Sequence, residues 1–195
     1  CGLNGLWDIK QPCQWGSMWY WDVNIQQSFW PIYTANHAEL GNSFYKALES
    51  YIPVAEARAR DFFNLEGIAG DYPFAFYFSI WPWCAQFFWW HYCYTKDEAF
   101  LKLHAFPLFE KIIIFYEKLL TWNEETGLFD LFPDVSPEQG PITKNSTISI
   151  GTLRFLLKSA IHAGEIIGAD SGKLDDWRYM LGHLPTYALG DSATY

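Results

Sequence analysis

Two short segments hold the side chains from which a reaction could be built. The first, Gln14 to Trp30, reads QWGSMWYWDVNIQQSFW and sets Asp22 and Asn24 two residues apart, between Trp19-Tyr20-Trp21 and Phe29-Trp30. A carboxylate and an amide among aromatic rings suit a sugar, whose apolar faces stack on rings while its hydroxyls need paired polar partners. An Asp just before a helix that starts at Asn24 is equally an N-cap, and residue types alone leave both readings open. The second segment, Phe129 to Gly140, reads FDLFPDVSPEQG and places Asp130, Asp134 and Glu138 on a backbone stiffened by Pro133 and Pro137. A Glu in partly apolar surroundings has its neutral form favoured and can act as a general acid near neutral pH. The alternative is a solvated acidic loop, which the residue types by themselves favour.

Helices must position these segments, because the apolar spacing is helical nearly throughout. Ile25, Phe29, Ile32 and Tyr33 share one face of a helix running from Asn24 to Asn36. A long stripe from Leu40 to Ala59 marks a second helix over Ala38–Phe63, which Pro53 should kink or split. Ile68 to Trp83 mixes Gly, Pro and aromatics without a period and reads as a loop. Cys84–Tyr94 is apolar on nearly every side and reads as a buried helix. Lys96-Asp97-Glu98 opens a fourth helix, Ala99–Trp122, which Pro107 should bend. Asn123 to Asn145 reads as irregular. Ser146 or Thr147 then caps a helix that Gly168 stops near Ile167, and a sixth helix covers Leu174–Leu184. Paired in order, six helices make three αα-hairpins, with no sheet expected as a main feature.

Composition narrows the chemistry further. Of 195 residues, 20% are aromatic and 50% hydrophobic, enough for a large core and incompatible with disorder. The net charge is −9, and the 13 Lys and Arg residues nowhere cluster, which argues against nucleic acid or an anionic membrane surface as partner. No run of about 18 apolar residues offers a membrane span. Dinucleotide, phosphate-loop, zinc-protease and nucleophile-elbow motifs do not occur, so no cofactor is expected. The five histidines lack metal spacing, and His91, behind Trp89-Trp90, reads as a satisfied core residue. Cys1, Cys13, Cys84 and Cys93 are too few and too irregularly spaced for a disulfide scaffold and read as free thiols, with a lipidated Cys1 as the alternative.

The order GLW (5–7), W-x-x-x-x-x-x-D-V-N-I-Q (15–26) followed by FWP, HYCYTKDEAFL (91–101), DVSPEQG (134–140) and LPTYALG (184–190) resembles glycoside hydrolase family 95. That family contains α-L-fucosidases and α-L-galactosidases built on a six-hairpin (α/α)6 barrel. The resemblance implies an all-α fold in which residues 1–195 form one partial (α/α)6 catalytic domain with three of the six hairpins. The rest of the domain, or a second chain, would complete the ring. By position, Glu138 matches the family's general acid and Asn24 the second Asn of an N-x-N motif that holds the attacking water. Asp22 replaces the first Asn of that motif, and Tyr20 replaces a preceding His. A carboxylate at Asp22 then serves as base or marks a different sugar. The family's own Asp partner for the water lies beyond the segment matched by 184–190. The resemblance further implies hydrolysis with inversion and an oligosaccharide or polysaccharide substrate. It leans towards an exported location and makes Cys1 a start inside a longer domain. Trp15, Trp19, Trp21, Trp81 and Trp83 are the candidates for sugar stacking; each has a core aromatic as its alternative, of equal weight for Trp81 and Trp83. Two other readings fit the residues: a non-catalytic carbohydrate-binding helical toroid, and a structural fragment of a larger protein.

Overall fold

The computed structural model describes residues 12–70, 76–137 and 141–187. After a 3-10 turn at Gln14–Ser17, the first hairpin comprises α1 (Asn24–Phe29), α2 (Pro31–Thr34), a 3-10 turn (Ala38–Gly41) and α3 (Asn42–Phe63). The single helix expected from Asn24 to Asn36 is therefore broken at Trp30. Pro31 has no N–H to return to the preceding turn and instead starts α2 as its first residue. Asn36, at φ 59°, ends the segment as expected. Pro53 does not split α3; it lies on the exposed side, where water can satisfy the carbonyl it leaves unbonded.

The second hairpin begins with α4 (Ile80–Thr95), four residues earlier than expected. Pro82 is its third residue, where the N–H has no intrahelical partner in any case, so proline is tolerated there. Trp81 and Trp83 thus belong to a helix and not to the loop in which they were expected. Asp97 caps the return helix by accepting the Phe100 N–H at 2.9 Å. That helix runs through α5 (Glu98–Phe100), a π-turn (Leu101–Ala105) and α6 (Phe106–Leu119). The π-turn lies just before Pro107, which cannot donate, and the Phe106 N–H reaches back to the Leu101 carbonyl. A small antiparallel hairpin follows, β1 (Thr121–Asn123) with β2 (Leu128–Asp130), in a stretch that reads as irregular in sequence. In the third hairpin, α7 (Thr147–Ile167) is capped by Ser146 and stopped by Gly168 at φ 71°, as expected. Its partner α8 (Ser171–Gly182) starts three residues early because Asp170 caps it through the Lys173 N–H.

The fold is all-α in two layers. In one layer α1–α2, α4 and α7 run in the same direction: Gln26 meets Cys84, Tyr33 meets Phe87 and Tyr94, and Trp89 meets His162. In the other, α3, α6 and α8 run side by side, tied by Glu49–His104, Glu56–Lys111 and Glu110–Lys173. The layers oppose each other, since Tyr45 packs on Phe88 while Tyr51, further along α3, packs on Trp81 at the start of α4. Between them lies an aromatic core containing Phe44, Phe87, Phe88, Phe109, Phe115 and Tyr116. Each such ring contributes about 1.5–3 kcal/mol by leaving water. His91 is a core residue, as expected. Its Nδ1 meets the Tyr45 hydroxyl at 3.2 Å, and that hydroxyl meets Tyr33 at 2.6 Å. Burial lowers its pKa and keeps it neutral. Cys84 and Cys93 are free thiols, as expected. Cys1 lies outside the described residues. No helix among the described residues is long and apolar enough to cross a membrane.

Candidate active site

The described parts of the segments singled out by residue type are linked where α1, α4 and α7 begin. Ahead of α1 the backbone makes a tight reversal. The Asn24 N–H donates to the Asp22 carbonyl at 2.9 Å, and the Ile25 N–H to the Tyr20 carbonyl at 3.2 Å. The first of these closes a γ-turn about Val23, at φ 60° and ψ −39°. A β-branched residue at positive φ is a genuine outlier, holding on the order of 1–3 kcal/mol of strain. The buried Gln26 pins the turn: its Nε2 donates to the Trp21 carbonyl at 2.7 Å and lies 3.5 Å from Cys84 Sγ on α4. Asn24 is left exposed, while Asp22 is only 9% exposed.

Asp22 does not cap α1. Val23 occupies the cap position, and no side chain bonds there. The Asp22 carboxylate instead accepts the Tyr77 hydroxyl at 3.0 Å through Oδ1, across 55 residues of sequence. Tyr77 lies in the short connection leading into α4. The backbone on either side of it is held: the Phe76 carbonyl accepts the Val135 N–H at 3.2 Å, and the Phe78 carbonyl accepts the Tyr116 hydroxyl at 2.9 Å.

Val135 belongs to the acidic segment, whose carboxylates Asp130 and Asp134 are bonded within the protein and do not stand in a solvated loop. Asp134 is fully buried and accepts the Val135 N–H and the Ser149 hydroxyl through Oδ1 and the Ser146 N–H through Oδ2, all at 2.8–2.9 Å. Burial raises its pKa, and these donors partly offset the rise. Its backbone pairs with Thr143 in both directions, which ties the two ends of the segment 134–143 together. Burial would also raise the Asp130 carboxyl, but Lys144, Asn145 and Asn123 donate to it and hold it at about 2. Glu138 itself lies outside the described residues.

The tryptophans divide. Trp15 is 71% exposed and Trp19 41%, both before the Asp22 turn, and Trp19 lies 6.2 Å from Trp21. Trp21 is half-buried against Phe44. Trp81 is a core residue, 3% exposed, with its indole N–H donating to the Ala69 carbonyl at 3.1 Å. Trp21, Tyr51 and Trp81 border a cavity of about 20 Å³, room for one water and far too little for a pyranose. Trp83 is half-buried on α4. Tyr77 and Gln26 have no counterpart among the residues picked from sequence, since neither carries a motif that marks a hydroxyl or amide as a tether. Among the described residues no three His, Cys, Asp or Glu side chains gather as a metal site.

The chain is a glycoside hydrolase, as its relationship to known proteins shows. Residues 1–194 match the glycosyl hydrolase family 95 catalytic domain, and the chain belongs to that family. Comparison with curated proteins returns no match.

Proposed function

We propose that this chain forms one side of an inverting glycosidase site for α-L-fucosyl, α-L-galactosyl or related glycosides. Glu138 protonates the glycosidic oxygen as the bond to the anomeric carbon breaks. A water oriented by Asn24 attacks that carbon from the opposite face and gives its proton to Asp22. The observation that carries this reading is the tie between the two segments. Asp22 stands where the family usually has an amide, and its carboxylate is held by Tyr77. The residue before Tyr77 bonds to Val135, three residues ahead of Glu138 in the chain. Inversion needs the acid and base about 6.5–9.5 Å apart, leaving room for the water. Trp15 and Trp19, with exposed rings ahead of Asp22, are the best placed for stacking on sugar rings. Further hairpins, from the rest of the domain or a second chain, would close the six-hairpin ring around the site.

The test uses the full-length enzyme with a natural glycoside and an aryl glycoside. General acid catalysis contributes typically about 10²–10⁴-fold. Glu138→Gln should lose about that much on the natural substrate and far less on the aryl one, whose phenolate leaves without a proton. Asp22→Asn should slow both alike, because water attack is common to them. Proton NMR of the first-formed product should show the β-anomer from an α-glycoside. Equal losses for Glu138→Gln on both substrates would remove it as the acid, and a retained anomer would end the inverting assignment.

A further inference from the structure

We infer that Tyr77 is a positioning residue for the reaction, orienting the Asp22 carboxylate and holding it charged. This rests on the reading of Asp22 as the base. A carboxylate that is 9% exposed cannot rely on water to fix its orientation or support its charge. The Tyr77 hydroxyl contributes to both by donating to Oδ1 at 3.0 Å. Hydrogen bonds to charged groups are the stronger kind.

The tyrosine is itself immobilised. Tyr77 is 4% exposed, and the two carbonyls flanking it in the chain are each taken by a donor from another element, Val135 and Tyr116. The Val23 γ-turn directs Asp22 inward from the other side. The pair therefore joins the first hairpin to the second through parts fixed independently of each other. Burial and the Asp22 charge push the Tyr77 phenol up, so it stays a donor throughout the working pH range. Among the described residues the Cys84 thiol also faces it; burial keeps that thiol protonated, so it brings no charge to the pair.

The experiment is a double-mutant cycle on the full-length enzyme. Tyr77→Phe keeps the ring and removes only the hydroxyl. It should lower kcat about 10- to 100-fold, the range expected for one hydrogen bond to a charged group, with KM little changed and both substrate types affected alike. The acid limb of the kcat/KM profile should move to higher pH, because the charged form of the base has lost a donor. In an Asp22→Asn background the same substitution should cost nothing more. A loss of equal size in both backgrounds, with the acid limb unmoved, would make Tyr77 a structural residue and overturn the inference. If Asp22→Asn is slow while Tyr77→Phe turns over like the wild type, the inference alone fails. If Asp22→Asn retains full turnover, the base assignment falls and the inference falls with it. Incorporating 3-fluorotyrosine at position 77 keeps the hydroxyl and makes it a stronger donor, so it reads the same contact in a protein that folds. The acid limb should then move to lower pH, and an unmoved limb counts against the inference.

Discussion

Asp130 shows how a single carboxylate can tie a connection together. Its oxygens accept from Asn123 on β1, from Asn145 ahead of α7, and from Lys144 at 2.8 Å. Together these donors hold its pKa at about 2 against an ordinary 3.8. A depressed folded-state pKa means stability that is present above the unfolded value and lost as pH falls through the folded one. Urea midpoints measured across the range from about pH 4 to about pH 2 should therefore fall, and Asp130→Asn should flatten that decline. An unchanged slope in the variant would show that these bonds contribute nothing. Asp134 acts in the opposite sense, since its raised pKa favours the folded state at low pH and loses that contribution as pH rises through it. Both carboxylates were visible in the sequence as members of an acidic segment, but their separate roles were not. Those roles depend on Ser146, Ser149 and Asn145, which belong to the next helix and its approach. Tyr77 was still less legible. Its hydroxyl stands among Phe76, Phe78 and other aromatics, and nothing local marks it as the one that reaches Asp22.

At the scale of elements, the close approach of the connection after α3 to α6 depends on one glycine. Gly67 sits at φ +88°, and a Cβ there would lie 2.5 Å from the Lys111 carbonyl and 2.6 Å from the Phe115 nitrogen. The next residue uses that proximity, with the Ile68 N–H donating to the Lys111 carbonyl at 3.2 Å. Gly67→Ala should therefore cost about 3 kcal/mol or more, combining backbone strain with a clash against main-chain atoms that cannot turn away. Gly127→Ala is the control, because φ is +65° but nothing lies within 4 Å. It should cost only about 1–2 kcal/mol. Equal losses in thermal or urea unfolding would contradict the packing argument. Helix existence was largely readable from period and caps: Ser146, Asp97 and Gly168 act as the sequence suggests. Boundaries failed where proline has two meanings. Pro82 is admitted into the first turn of α4, Pro31 divides one expected helix into two, and Pro53 leaves α3 whole. The difference lies in which N–H each proline removes and whether water can reach the carbonyl left behind.

At the scale of the whole molecule, the described residues make three hairpins in two opposed layers. The layer of α1–α2, α4 and α7 keeps large rings at its surface. Trp30 is 40% and Tyr94 57% exposed, and they line a concavity of about 370 Å³ with Tyr33, Thr34 and Trp90. Exposed apolar surface of this kind drives association. The 195-residue chain expressed alone should bind an apolar-surface dye and sediment as a concentration-dependent mixture. A monodisperse monomer that binds no dye and unfolds sharply would count against the incomplete-ring reading. The hairpin order was legible because each pair is local in sequence. The parallel alignment of the three layer helices was not, since it arises from contacts such as Tyr33 with Tyr94 and Trp89 with His162, far apart in the chain.

That parallel alignment has an electrical consequence. Peptide dipoles add along a helix to the equivalent of about half a positive charge at its start. α4, of 16 residues, and α7, of 21, both start at the end of the molecule that holds Asp22. In a chain of net charge −9, the two helix starts thus add a positive contribution at this end. Such a field helps a base to remain an anion and works against any acid that has to keep its proton. An acid placed there must be screened from water by apolar neighbours strongly enough to outweigh the helices beneath it, so the same backbone arrangement pushes the two halves of an acid–base pair towards opposite surroundings.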